Sequence, residues 1–240
     1  MPLQSTLRFH RPALQSGWLL LEFSLALVLA TGYAVVRAQS DFDAAVDLQV
    51  RARAQGLETV HAAAVAYAER YFDQIVGMPA PGTLQITGSA IHVAKRASPA
   101  GDMLYQVADG NHPDVSDLVA LRLLPANFSG AAIGGGRYRI ALEVTPPGCR
   151  QDCSIEGAVY VDQPFRVNGK IQHPRTGRAV QLLGADGAAS RPENPAVLSG
   201  YGGRFTLPNP AGDVAGILAE RFGYYRSSQP LPAGASATAE

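Results

Sequence analysis

Three textures of hydrophobic and polar positions follow one another along the chain. From Trp18 to Val36 the residues are almost uniformly apolar: 19 positions with no Pro, Lys or Arg and a single acid, Glu22. As a helix this run spans roughly 28 Å at about 1.5 Å per residue, close to the hydrocarbon thickness of a bilayer. Beyond it the apolar positions thin to one stripe: Phe42, Val46, Val50, Leu57, Val60, Ala64, Tyr67, Tyr71 and Ile75. Their steps of three, four or seven residues are those of one helix face, and Asp43, Asp47, Arg51, Glu58 and Glu69 fall elsewhere. No proline occurs between Pro12 and Pro79, so the pattern predicts a single helix from Trp18 to about Phe72. It would be about 80 Å long, and Gly32 and Gly56, each weakening it by about 1 kcal/mol relative to Ala, mark where it bends or loosens.

After Gly77-Met78-Pro79-Ala80-Pro81-Gly82 the texture changes to short apolar pieces separated by Gly, Pro, Asn and Asp. Thr83 to Val93 and Met103 to Val107 read as strands. Asp114 to Leu124 reads as a short helix, capped by Asp114 or Ser116 and ended by Pro125. From Arg137 to Thr145, Tyr138, Ile140, Leu142 and Val144 alternate with Arg137, Arg139, Glu143 and Thr145, the signature of a half-buried strand. Ile155 to Val161 repeats the alternation. Phe165 to Ile171 predicts a hairpin, because Asn168-Gly169 suits the left-handed positions of a type I′ turn. Ala179 to Leu183 and Arg204 to Leu207 offer further strands, whereas 186–203 and 208–213 read as loops. Gln229 to Glu240, rich in Pro, Ala, Gly and Ser, reads as a disordered tail. There is no internal repeat.

Cys149 and Cys153 bracket three polar residues between two alternating strands. If they face each other across a tight turn, their Cα atoms lie about 4.5–5.5 Å apart, within disulfide range. That register sets Leu142 opposite Tyr160 and Glu143 opposite Val159, which sends Ile155, Val159 and Val161 to the wrong face. Pro146-Pro147 cannot donate ladder bonds, so an irregularity there is expected to restore the pattern by one residue. The same mismatch arises if the strands do not pair. A metal site would need a second Cys/His pair nearby, and none is present.

Composition narrows the class. At 240 residues, 47% hydrophobic and 17% charged, the chain supports one globular domain and a long helix. Its formal net charge is zero, so neither a nucleic-acid-binding field nor a solvating acidic block is evident. Two cysteines beyond a membrane segment are most simply one disulfide in an oxidising compartment.

The apolar run has a distinctive beginning: Gln15-Ser16-Gly17-Trp18-Leu19-Leu20-Leu21-Glu22-Phe23, preceded by a leader with Arg8, His10 and Arg11 and no acid. Such a leader stays on the cytoplasmic side. A carboxylate inside an apolar span costs about 2.5–3.5 kcal/mol on insertion scales. Cleavage after Gly17 would give Trp18 a free ammonium group, and in a helical assembly that ammonium can neutralise Glu22 of a neighbour. This arrangement resembles the signal of type IV prepilins: Gly before the cut, a hydrophobic first mature residue, Glu at the fifth. Loss of residues 1–17 would leave 18 basic against 20 acidic side chains, a charge of about −2. The plainer alternatives are an uncleaved signal anchor and a secretory signal cut near Val35 to Ala38, through which the amphipathic pattern continues unbroken.

Candidate chemistry is sparse. His112-Pro113-Asp114 matches the tripeptide of J-domains but lacks the basic helix that precedes it there. Gly134-Gly135-Gly136 and Ser199-Gly200-Tyr201-Gly202-Gly203 fit neither a phosphate loop nor a dinucleotide fingerprint. There is no Gly-x-Ser-x-Gly elbow and no His-Glu-x-x-His. His61, on the long helix upstream of Tyr67 and Tyr71, reads as a helix–sheet contact. Asn127-Phe128-Ser129 matches a glycosylation acceptor without meaning behind a bacterial-type leader. No enzyme, cofactor or metal site is expected.

Further stretches resemble shufflon-type minor pilins (PilV) of conjugative thin pili: Glu58 to Tyr71, Val115-Ser116-Asp117-Leu118 with Leu124-Pro125 and Phe128, and Ser199 to Gly203 with Asn209-Pro210. The resemblance implies a leader at 1–17, a membrane or filament-core helix at 18–36, its amphipathic continuation at 37–75, a pilin head at 76–227 and a tail at 228–240. It implies an α+β fold, with the long helix packed on an antiparallel sheet. Implied partners are other pilin subunits, prepilin peptidase, the inner-membrane assembly machinery and the recipient-cell surface. The chain would pass from the inner membrane to an extracellular pilus, with Gly17 and Trp18 as the processing site and Glu22 guiding assembly. Only a short polar tail follows Gly223-Tyr224-Tyr225, which favours a structural or priming role over receptor selection. The rivals are a type II secretion pseudopilin, an uncleaved membrane-anchored periplasmic binding protein, and an anchored enzyme with His173, His112 or another His near an acid.

Overall fold

A computed structural model describes residues 16–78, 82–87, 96–97, 103–149 and 152–226. It divides into two units, one ending at Asp47 and a head unit beginning at Leu48. The expected continuation of the first strand past Thr87 to about 93, the leader before Ser16, and the tail lie outside the described residues.

Helix α1 runs from Ser16 to Arg70, followed after Tyr71 by the short α2, Phe72–Val76. In the head unit the predicted stripe is the buried face: Val50, Leu57, Val60, Ala64, Tyr67, Tyr71 and Ile75 are all below a tenth exposed, whereas Phe42, in the N-terminal unit, is exposed. Gly56 is not a bend. A Cβ there would sit 2.0 Å from the Tyr138 hydroxyl, so the missing side chain is the socket into which a strand residue plugs.

Strands β1 (Leu84–Thr87), β2 (Arg96–Ala97) and β3 (Met103–Val107) form a small antiparallel sheet in the order β1-β3-β2. Helix α3, Val115–Ala120, begins as expected after Asp114, whose N–H donates to the Asp117 carboxylate. It ends well before Pro125, because the chain turns at Leu121 and Arg122 adopts a positive φ of 59°.

The main sheet comprises β4 (Tyr138–Thr145), β5 (Ser154–Val161), β8 (Gly187–Arg191), β9 (Asn194–Gly200), β10 (Thr206–Pro208) and β11 (Leu218–Tyr225). Between β5 and β8 come the hairpin β6 (Arg166–Val167) and β7 (Lys170–Ile171), then helix α4 (His173–Leu183). The sheet order is β10-β9-β8-β11-β5-β4, with every pair antiparallel. The hairpin turn at Asn168 and Gly169 has the positive φ angles its sequence predicts.

Three expectations are corrected here, and one strand is added. Ala179 to Leu183 is helical, part of α4. Pro174 at the helix start and the buried set Thr176, Ala179 and Val180 show a helical period that a five-residue apolar run could not reveal. Residues 186–203 are not loop: most of them form the hairpin β8–β9. Its small residues hid it, and they are what lets α4 lie close, since a Cβ at Gly187 would stand 2.7 Å from the Val180 carbonyl oxygen. The offered strand at Arg204 is only Thr206–Pro208. Strand β11, absent from the sequence reading, lies between β5 and β8 in the sheet.

One sheet face meets α1. Leu142, Ile155, Val159 and Phe222 are buried there, and Phe222 lies edge-on to His61. On the other face Ala188, Leu198, Ile217 and Ala219 form a second cluster, joined by Phe205, Leu207 and Val214. The fold is α+β and pilin-like: a long N-terminal helix whose head portion packs on an antiparallel sheet.

Candidate functional site

In the N-terminal unit, Gly17 lies in the first turn of α1. Trp18 is 72% exposed, and Glu22 is exposed with no hydrogen-bond or ion-pair partner among the described residues. From Leu20 to Ala45 every side chain is exposed, the apolar ones included. The helix is long and apolar enough to cross a membrane, with a mean hydropathy of 1.6 over its best window. Thr31 turns its hydroxyl back to the Leu27 and Val28 carbonyls, and Ser24 to that of Leu21, so their polarity is satisfied within the helix.

The head is pinned to α1 by a residue the sequence reading passed over. Arg53 occupies the gap between Val50 and Leu57 on the apolar face and is 1% exposed. Its Nη1 donates to the Ile133 and Gly135 carbonyls, each at 2.8 Å, and its Nη2 to that of Gln163. Phe165 stacks beneath the guanidinium at 5.7 Å. Burial lowers its pKa to about 10, so it stays cationic at neutral pH. Gly134-Gly135-Gly136 thus shapes a turn whose carbonyls receive an arginine. The clue was a seven-residue step with a basic residue in its middle.

Glu220 on β11 is buried, 6% exposed, with one carboxylate oxygen unpartnered. Desolvation, with Glu58 and Asp186 adding repulsion, raises its pKa to about 7. His61 Nδ1 lies 3.7 Å away, and His61 Nε2 is 3.1 Å from the Arg221 carbonyl oxygen. Because that oxygen only accepts, Nε2 carries the proton. His61 therefore makes the helix–sheet contact expected of it, and its outer nitrogen is already engaged.

The second acid–histidine pair is His112 Nδ1 with Asp109 at 2.9 Å. Partial burial opposes ionisation of Asp109, but the hydrogen bonds from His112 and the Asn111 N–H outweigh it and lower the Asp109 pKa. The third member of that tripeptide, Asp114, pairs with Arg139 at 2.7 Å, and Arg139 also reaches Asp162 at 3.4 Å. Both histidines border a cavity of about 1100 Å³ beside the sheet. Among the described residues neither is hydrogen-bonded to a hydroxyl or thiol, so neither forms a nucleophile–base pair with one of them. His173 starts α4, away from both pairs in sequence and in lining.

Cys149 and Cys153 are bonded, with Cα atoms 5.8 Å apart. The register differs from the one inferred from the cysteines: Leu142 faces Gly157 and Glu143 faces Glu156. The offset is three residues rather than one. It is taken up between Thr145 and Ser154, where Pro146 follows a cis peptide and Gly148 and Asp152 have positive φ. An odd offset returns Ile155, Val159 and Val161 to the buried face, as the parity argument required. Among the described residues no three His, Cys, Asp or Glu side chains gather as a metal site.

Comparison with known protein families, curated proteins and solved structures finds no match.

Proposed function

We propose that the chain is a minor pilin of a type IVb or conjugative thin pilus, similar to the constant region of shufflon-type pilins. A prepilin peptidase cuts between Gly17 and Trp18, and the new Trp18 ammonium of one subunit meets Glu22 of the next. The helix from Leu19 to Val36 enters the filament core, and the head carries the Cys149–Cys153 loop. Other pilin subunits and the inner-membrane assembly machinery are its partners, and the recipient-cell surface is reached through the extracellular pilus. One observation carries this reading. A 55-residue helix opens with an apolar stretch that is exposed among the described residues, and the acid in that stretch has no hydrogen-bond or ion-pair partner among them. Lipid can cover the apolar groups, but the carboxylate needs an opposite charge or water.

N-terminal sequencing of membrane-extracted protein is the test. A chain beginning at Trp18 is expected, and one beginning at Met1 removes the polymer reading. Glu22→Ala should be processed normally yet fail to enter filaments. The cavity beside the sheet favours one second reading, an uncleaved membrane-anchored binding protein, which an intact leader would support.

A further inference from the structure

Residues 163–204 carry six Arg or Lys against two acids, in a chain that is neutral as a whole. Of those acids, Asp186 is already paired with Arg221 at 2.8 Å. Two of the six cations, Arg178 and Arg191, line a cleft of about 500 Å³ between α4 and the β8–β9 hairpin. Arg178 enters it from α4 and Arg191 from the hairpin turn. Both are exposed, and among the described residues neither has an ion-pair or hydrogen-bond partner. Ser199, Gln181 and the half-exposed Tyr201 complete the walls with neutral hydrogen-bonding groups, and buried Val180 and Gly200 form the floor.

Two guanidinium forks from separate elements, with no acid in the cleft lining, suit a tetrahedral oxyanion. Each fork can take two oxygens, and a phosphate monoester offers three around one centre. We infer that this cleft is a binding site for a phosphate monoester group, with Arg178 and Arg191 clamping the phosphate and Tyr201, Gln181 and Ser199 contacting what it is attached to. The inference does not depend on the polymer reading, because it concerns only the head.

The test is calorimetric titration of the full chain in neutral-lipid nanodiscs with three probes: inorganic phosphate, a hexose 6-phosphate, and a short-chain anionic phospholipid below its micelle concentration. Arg178→Gln/Arg191→Gln should weaken binding of the preferred probe about tenfold or more while leaving the circular dichroism unchanged, since both side chains are exposed. Sugar phosphate binding tightest supports a soluble or glycan phosphate, and the phospholipid binding tightest supports a headgroup. Inorganic phosphate binding as well as either supports the clamp alone. No binding of any probe at about 10 mM, or an undiminished affinity in the double variant, overturns the site.

Discussion

Two stretches of one helix, α1, make the most instructive comparison. Between Leu20 and Val36 the side chains are almost all apolar and exposed; between Val50 and Tyr67 a single stripe is apolar and buried, with most polar groups outside it. Both stretches are helical, so backbone preference does not separate them. What differs is the source of cover. The later stretch takes it from the sheet of its own chain, which is how most helices in globular proteins are stabilised. The earlier stretch is apolar on all sides, a pattern a water-exposed helix does not sustain, and its length and hydropathy are compatible with cover by lipid.

The sharpest way to break the comparison is at Arg53. Arg53→Ala should destabilise the head by about 2–5 kcal/mol, because a buried side chain and its three hydrogen bonds to the Ile133, Gly135 and Gln163 carbonyls are lost together. Trp18, the only tryptophan, lies in the apolar run, so the measurement is denaturant unfolding followed by circular dichroism in detergent. Next comes a matched pair. Leu57→Ala, at a fully buried position, should cost about 2–5 kcal/mol, whereas Leu25→Ala should stay within about 0.5 kcal/mol. Equal losses would mean that the first stretch also packs on a head.

Glu220 supplies a pH test. Its folded pKa of about 7 exceeds the ordinary 4.5, so the folded state retains a proton that the unfolded chain has released between those values. Stability should therefore fall as pH rises from about 4.5 through 7 and then level, by on the order of 3 kcal/mol. Glu220→Gln should remove that slope, equalling the parent near pH 4.5 and exceeding it at pH 8, as read from melting temperatures. His61, Glu58 and Asp186 remain in both proteins, so the difference isolates the one carboxyl. A smaller loss than at Arg53 or Leu57 is expected at Gly56. Gly56→Ala should cost about 1–3 kcal/mol through its clash with Tyr138, and trimming that ring with Tyr138→Leu should offset part of the loss.

Legibility followed periodicity. Strands β4 and β5 were readable because a sheet with one buried face imposes strict alternation, and the Asn168-Gly169 turn because few residues tolerate its backbone angles. The β8–β9 hairpin and α4 were not, since Gly187, Ala188, Ala189 and Ser190 carry almost no hydrophobic contrast and are chosen for close approach. Strand β11 escaped because Glu220 sits where an apolar residue is expected, and Arg53 was passed over for the same reason on the helix.

The order of residues alone determined the long helix, the unusual acid near its start, the alternating central strands and the proximity of the two cysteines. Each of these depends on neighbours within a few positions, which the chain states directly. Only the tertiary structure decided the three-residue offset across the cysteine loop, the place of β11 in the sheet, the carbonyl nest around Arg53 and the presence of Arg178 and Arg191 in the lining of one cleft. Those depend on segments far apart in sequence, and their partners are selected by packing and by the need to satisfy buried polar groups.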